Sequence, residues 1–245
     1  MPATLRIAAC QTPEILGDVP AALTCVGDFA QDAERRGAEL LLFPECFLQG
    51  YLVEPGHLRR HALDLRGAEF ATAMRRLRRV RPTIVLGLIE RDEGTYYNSA
   101  VVVSRGELLG RYRKTQLVTG ESLFAPGDSY PTFDLGHIRF GINICYDTQF
   151  PAAAGAVAAQ GARLLLVPAQ NMMRRPAAER WKNLHNQIRA ARVRETGMWL
   201  ASADVTGQRG EERVGYGPTC VMNPQGQIVA QVPMMTTGMA VADVR

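Results

Sequence analysis

The sequence is poor in cysteine, histidine and tryptophan: 245 residues hold 5 Cys, 4 His and 2 Trp. No CxxC pair and no Cys/His ligand spacing occurs, which argues against a metal site, and an odd cysteine count argues against a closed disulfide framework. Free thiols fit a reducing, cytoplasmic setting. Long apolar runs are also lacking. Stretches such as Leu164–Val167 and Ala100–Val103 are far shorter than the ~20 residues that span a bilayer. The opening MPATLRIAACQ has no charged region ahead of a long apolar core, so no signal peptide is expected. A charge excess is missing too. The 28 Lys+Arg against 24 Asp+Glu leave +4, a weak argument for nucleic acid or an anionic membrane as partner.

What is there is an ordinary apolar share, 47%, enough to exclude a disordered chain. No linker, low-complexity segment or fixed-period repeat divides the sequence, so a single domain over residues 1–245 is expected. Strands are expected at Leu5–Ala9, Glu39–Phe43, Thr83–Ile89, Ser99–Val103 and Leu108–Tyr112, with a turn at Arg105-Gly106. Further strands follow at Ile138–Cys145, Arg163–Val167, Met198–Ala203, Pro218–Met222, Gln227–Val232 and Met239–Ala242. Helices are expected at Pro20–Arg36 with Gly37 as its stop, Gly67–Arg79, Pro151–Gln160 and Ala177–Glu195. In the last, Trp181, Leu184, Ile188 and Ala191 share a face. Interleaved helices and strands predict an α/β fold, and this many strands favours two packed sheets.

Cys145 carries the first chemical signal. Ile138, Phe140, Ile142 and Ile144 alternate with Arg139, Gly141, Asn143 and Cys145, so the thiol ends a strand just before a helix opened by Pro151. Backbone N–H groups at such a turn can stabilise an oxyanion. The local pattern alone fits a packed structural cysteine as well. A thiol nucleophile needs a base, and His57, His61, His137 and His185 offer no familiar cysteine-hydrolase context. Two strand-end charges are alternatives. Glu45 follows the apolar Leu40–Phe43 and Pro44, where partial desolvation raises a carboxyl pKa toward base duty. Lys114 closes Gly110-Arg111-Tyr112-Arg113. Taken singly, each also reads as a solvated charge at a strand end.

Together, Phe43-Pro44-Glu45, Tyr112-Arg113-Lys114 and Ile144-Cys145-Tyr146-Asp147 with Phe150-Pro151 resemble the nitrilase superfamily, the carbon–nitrogen hydrolases. Gly50-Tyr51, Tyr97-Asn98-Ser99, Gly161-Ala162 with Pro168, Arg192–Glu195 and Asn223-Pro224-Gln225-Gly226 support the likeness, which runs from Leu5 to about Asp243. The resemblance implies an αββα sandwich with two mixed β-sheets and outer helices, usually paired through helices into a four-layer homodimer. It implies no metal and no organic cofactor. It places a catalytic triad at Glu45, Lys114 and Cys145, and a second glutamate at Glu121, ahead of Pro126-Gly127. Tyr51, Gln116, Tyr146, Gln170 and Asn171 are the candidate substrate contacts.

Several positions depart from the family pattern. Gln116 stands where histidine is frequent, Ala152 where glutamate is frequent, and Gln149 where many amide-hydrolysing members have arginine. Val193 and Thr196 replace Ala and Asn of an Arg-Ala-x-Glu-Asn pattern. Tyr146-Asp147 after the cysteine resembles the amidase-like and omega-amidase-like branches more than true nitrilases, which usually carry Trp-Glu. The expected activity is hydrolysis of a small amide through a cysteine thioester, releasing ammonia. Hydrolysis of an N-carbamoyl compound (a ureido acid or carbamoyl polyamine), a nitrilase, and a non-catalytic binding subunit on the same fold are the alternatives.

Other features are read as structural. The run Arg75, Arg76, Arg78, Arg79 and Arg81 lacks stacking aromatics and suits a solvated helix end better than a nucleic-acid surface. His57 and His61 have a metal-compatible spacing but no third ligand. Arg192 and Glu195 suit a buried ion pair. Cys46 adjoins Glu45 and is expected near the pocket.

Overall fold

The computed structural model describes residues 4–245, so the first three positions of the opening segment lie outside the described residues. In chain order the elements begin β1 (Leu5–Pro13), α1 (Val19–Arg35), β2 (Leu40–Leu42), α2 (Pro55–His61), α3 (Ala68–Leu77), β3 (Thr83–Asp92), β4 (Thr95–Ser104) and β5 (Glu107–Arg113). Then come β6 (Thr132–Leu135), β7 (Ile138–Ile142), α4 (Pro151–Ala158), β8 (Leu164–Pro168), β9 (Met173–Arg174), α5 (Arg175–Trp181) and α6 (Leu184–Thr196). The chain closes with β10 (Trp199–Arg209), β11 (Arg213–Tyr216), β12 (Cys220–Met222), β13 (Ile228–Gln231) and β14 (Gly238–Val244).

The strands form two mixed sheets. The first runs β5-β4-β3-β2-β1, with β14 antiparallel to β1. The second joins β6, β7, β8, the first half of β10, β12 and β13. β10 is long because it serves both: Trp199–Ala203 pair with β8, while Asp204–Thr206 pair with β1.

Side-chain alternation sorts the residues into layers. Ile7, Ala9, Leu40, Leu42, Val85 and Val102 of the first sheet meet Ile138, Phe140, Ile142, Leu164 and Leu166 of the second. Intervening residues Ala8, Leu41, Ile84, Leu86 and Val101 face outward against Val26 and Ala30 of α1 and Phe70, Met74 and Leu77 of α3. On the far side, Leu165 and Val167 pack on Ala154 and Val157 of α4 and Ala190 and Val193 of α6. The result is helix, sheet, sheet, helix, as expected.

Local signals set the element ends. Asp18 accepts the Ala21 N–H at 2.9 Å at the start of α1, and Pro20 sits in its first turn. Arg105 and Gly106 both have positive φ, 48° and 78°, in the β4–β5 hairpin turn. The arginines at 75, 76, 78, 79 and 81 are all exposed at the end of α3 and just beyond it.

Four readings need correction. The helix expected over Ala177–Glu195 is two helices, α5 and α6, broken at Lys182-Asn183. α5 lies on β11 while α6 lies against α4 and β10, so one straight rod cannot serve both. The face expected to be buried is only half-buried at Trp181, Leu184, Ile188 and Ala191; Arg189, Ala190, Arg192 and Val193 point inward instead. The strand expected to reach Cys145 stops at Ile142, and Cys145 opens a 3-10 turn, Cys145–Gln149. Arg192 and Glu195 pair at 2.6 Å, but the glutamate is 46% exposed, so the pair is not a buried one.

Candidate active site

Glu45 lies just past β2, where its turn is pinned to two strands. Phe43 N–H donates to Val85 at 2.9 Å, and Glu45 N–H donates to the Ala169 carbonyl at 3.2 Å. β3 approaches this turn closely because residue 87 is glycine: a Cβ there would lie 2.1 Å from the Pro44 carbonyl oxygen and 2.8 Å from Glu45 Cα. Lys114 follows β5, its N–H on the Asn98 carbonyl at 2.8 Å. The preceding Arg113 donates at 2.6 Å to both the buried Glu90 and Asp92, which fixes the strand end. Glu121 closes a 3-10 turn, Thr119–Glu121.

These elements bring Glu45, Lys114 and Glu121 together, and none is more than 2% exposed. Lys114 Nζ donates to Glu45 Oε1 at 2.8 Å and lies 2.9 Å from Glu121 Oε2. Asn98 makes the same bridge from its amide, donating to Glu45 at 2.7 Å and Glu121 at 2.8 Å. An ammonium has three donors. They face Glu45 Oε1 and both oxygens of Glu121, at 3.0 Å or less, and Lys114 also lines a cavity.

Two buried carboxylates and one ammonium do not balance, and the imbalance falls on Glu45. Burial, reinforced by Glu121 and opposed by Lys114, raises its pKa to about 7. Burial alone would pull Lys114 down; the carboxylates of Glu45 and Glu121 outweigh it and hold the ammonium charged.

Cys145 faces the same cavity. Its φ is +43°, in the left-handed region that non-glycine residues rarely occupy. Local bonds hold it there: Thr148 Oγ1 donates to the Cys145 carbonyl at 2.7 Å, and Ile144 N–H donates to Asp147 Oδ2 at 2.8 Å. Asp147 is fully buried and also accepts from Tyr112 Oη at 2.7 Å, Gln116 N–H at 2.8 Å and Thr115 Oγ1 at 3.1 Å. It thereby ties the segment after Lys114 to the turn carrying the thiol. Burial first, then Glu45, pushes the Cys145 thiol well up, with Lys114 opposing. The resting sulfur is therefore a thiol.

The cavity has a volume of about 270 Å³, and Tyr51, Tyr146, Gln170 and Asn171 line it. Gln116 is a correction: it does not line the cavity, and its backbone N–H is bound to Asp147. Cys46 is buried behind the site, its thiol 3.4 Å from Asn98 Oδ1. His57 and His61 stack at 4.7 Å, and among the described residues no group of three metal-ligating side chains occurs. Sequence pattern assigns no role to Asn98, Asp147 or Asp204, and does not place Met173, Trp181, His185 and Ile188 in a cavity wall. Asn98 lies within Tyr97-Asn98-Ser99 with no role attached to it, and the helical spacing of Trp181 and Ile188 suggests core rather than cavity wall.

The αββα sandwich, with a buried carboxylate and ammonium facing a strained cysteine, defines a nitrilase-superfamily protein. The carbon-nitrogen hydrolase family model matches residues 6–245, and the chain belongs to that family. It is 30% identical over 207 residues to an (R)-stereoselective amidase of Pseudomonas sp, covering 84% of this chain and 70% of that protein. It is 30% identical over 216 residues to the human omega-amidase NIT2, covering 83% and 75%. Among solved structures, an amidase from Nesterenkonia sp. superimposes with a TM-score of 0.83 at 29% identity, covering 98% of this chain and 90% of that one. In a mutant of the same amidase, acrylamide has undergone Michael addition at the active site cysteine.

Proposed function

We propose that the protein is a small-molecule amidase in which Cys145, Glu45 and Lys114 act as a triad. The observation that carries this is that Glu45, Lys114 and Cys145 line one cavity, with the Lys114 ammonium bound to the carboxylates of Glu45 and Glu121. Glu45 takes the thiol proton as Cys145 attacks the amide carbonyl carbon. The Lys114 ammonium and a backbone N–H near Tyr146 hold the oxyanion. Glu45 then gives its proton to the departing nitrogen, ammonia leaves, and an acyl thioester remains on Cys145. Water, deprotonated by Glu45, attacks the thioester; the acid is released and the thiol regains its proton. Glu121 and Asn98 act as positioning residues that hold Glu45 and Lys114 in register.

A pKa near 7 suits Glu45 to this double duty, since a base and acid works best when both forms are accessible at the working pH. The Pseudomonas and Nesterenkonia amidases support the reading. The test is ammonia release from a panel of primary amides, nitriles and carbamoyl compounds, with Cys145→Ala as control. Amide turnover that vanishes in Cys145→Ala, with an acyl adduct on Cys145 by mass spectrometry, is the expected result. Equal turnover by both proteins, or carbon dioxide released with the ammonia, overturns it.

A further inference from the structure

The part of the cavity wall built by β9, α5 and α6 consists of Met173, Trp181, His185 and Ile188. The Trp181 and His185 rings lie 5.5 Å apart at 30°. Among the described residues lining the cavity, the charged ones are Glu45 and Lys114, which bind each other. The cations behind the wall have partners of their own, although the buried Arg192 Nε has none among the described residues. Arg189 lies 3.8 Å from Asp204 and donates to the Pro218 carbonyl at 2.8 Å and to Asn186 at 3.0 Å. Arg192 is 2.6 Å from Glu195. Gln170 lines the cavity, but its amide donates to Glu14 at 2.6 Å. Burial first, then Arg189, lowers His185 to about 3, so the imidazole is neutral.

We propose that the substrate is a primary amide whose acyl group is small, uncharged and largely apolar. The inference rests on the amidase reading and narrows it. A carboxylate at the far end of the acyl chain meets no free cation here, and an ammonium meets no free carboxylate. Either would be buried unpaired, which is strongly unfavourable. The volume of about 270 Å³ lies just below the range of drug-sized pockets, roughly 300–1,000 Å³, and suits a short acyl chain or single ring. This separates the protein from an enzyme for omega-carboxylated amides, ureido acids or carbamoyl polyamines.

Three matched amides test it: pentanamide, 5-amino-5-oxopentanoate and 5-aminopentanamide. Two readouts are used, kcat/KM of the unaltered protein and equilibrium binding to Cys145→Ala. Pentanamide should lead both charged amides by about 100-fold in kcat/KM and bind most tightly. Ile188→Arg, which adds a guanidinium to a half-buried wall position, should raise kcat/KM for 5-amino-5-oxopentanoate about tenfold and lower it for pentanamide. If a charged amide matches or beats pentanamide in binding, or pentanamide shows no binding, the inference is overturned. If no amide is turned over but Cys145→Ala still prefers pentanamide, the amidase reading falls and the inference about the pocket stands.

Discussion

Asp204 accepts hydrogen bonds from both nitrogens of Asn171, the backbone N–H at 2.9 Å and the side-chain amide. With its NH₂ so held, Asn171 turns its carbonyl oxygen toward the Cys145 thiol, 3.8 Å away. Asp204 is fully buried and lies 3.8 Å from the guanidinium of Arg189, itself 2% exposed. Removing the carboxylate leaves that cation without its counterion. Asp204→Ala should lose about 3–5 kcal/mol of stability in urea unfolding. On the proposed mechanism it should also lower kcat/KM by about 100-fold, because the loop beside Cys145 loses its anchor. An unchanged unfolding midpoint would show that Arg189 does not depend on Asp204.

The position of Glu45 between two protonation states makes activity depend on pH. Its pKa is raised to about 7, chiefly by burial. Below that pH the carboxyl is protonated and cannot accept the thiol proton. On a primary amide, kcat/KM should therefore fall about tenfold per unit as pH drops below 7. Glu121 contributes to the upward shift, so Glu121→Gln should move this acid limb to lower pH. A limb that stays in place, or moves up, contradicts the assignment of Glu45 as the base. Glu45→Gln keeps the shape and removes the base, so it should cost about 10²- to 10⁴-fold in kcat while thermal unfolding shows a folded protein.

How much of this is legible in the sequence follows from what each residue contributes to periodicity. Glu45 and Cys145 close runs of apolar residues, and a charge or thiol at such an end is visible as a break in pattern. The two packed sheets are legible from the number of strands, and the αββα layering from the family resemblance; the uniform Leu40–Leu42 of β2 shows no alternation of its own. Asn98, Asp147 and Asp204 are invisible to that signal. They are buried polar residues whose partners lie far along the chain, and a periodicity window does not reach them. Asp147 binds Tyr112, 35 residues away, and Asn98 binds Glu45, 53 away. The break at Lys182-Asn183 is hidden because both halves carry a helical pattern; what divides them is that they dock on different elements. The inward turn of Arg189 is hidden because its counterion, Asp204, sits mid-strand in β10.

Asp147 links the Lys114 segment to the Cys145 turn through four donors, and this predicts a graded pair of variants. Tyr112→Phe removes the 2.7 Å bond to Asp147 and the 3.3 Å contact of the phenol with Thr115 Oγ1, and leaves the backbone donors in place. It should cost about 1 kcal/mol in unfolding free energy and leave most activity. Asp147→Ala strands the Ile144 and Gln116 N–H groups as well. Buried unsatisfied donors cost about 1–3 kcal/mol each, so a loss of about 3 kcal/mol or more is expected, with a larger drop in kcat than in substrate binding. Equal effects from the two variants would mean that the backbone bonds to Asp147 do not hold the turns together.

Gly87 offers a separation of packing from chemistry. Every atom that a Cβ there would strike within 2.8 Å belongs to the backbone of Pro44, Glu45 or Cys46, so no side chain can swing aside. Gly87→Ala must therefore push the Glu45 turn away from β3. Overpacking of this kind costs about 1–3 kcal/mol. The catalytic cost should be larger in proportion, since a displacement near 1 Å at a reacting group can lose about 100-fold in rate. Gly155 is the matched control. It lies within α4, where an added methyl would meet nothing within 4 Å, so Gly155→Ala should gain about 0.5–1 kcal/mol from helix propensity and leave kcat/KM unchanged. If Gly87→Ala loses stability yet keeps kcat/KM within about twofold, Glu45 does not need its present position. A fall in kcat/KM well beyond the loss of folded protein ties the carboxylate's placement to the chemistry.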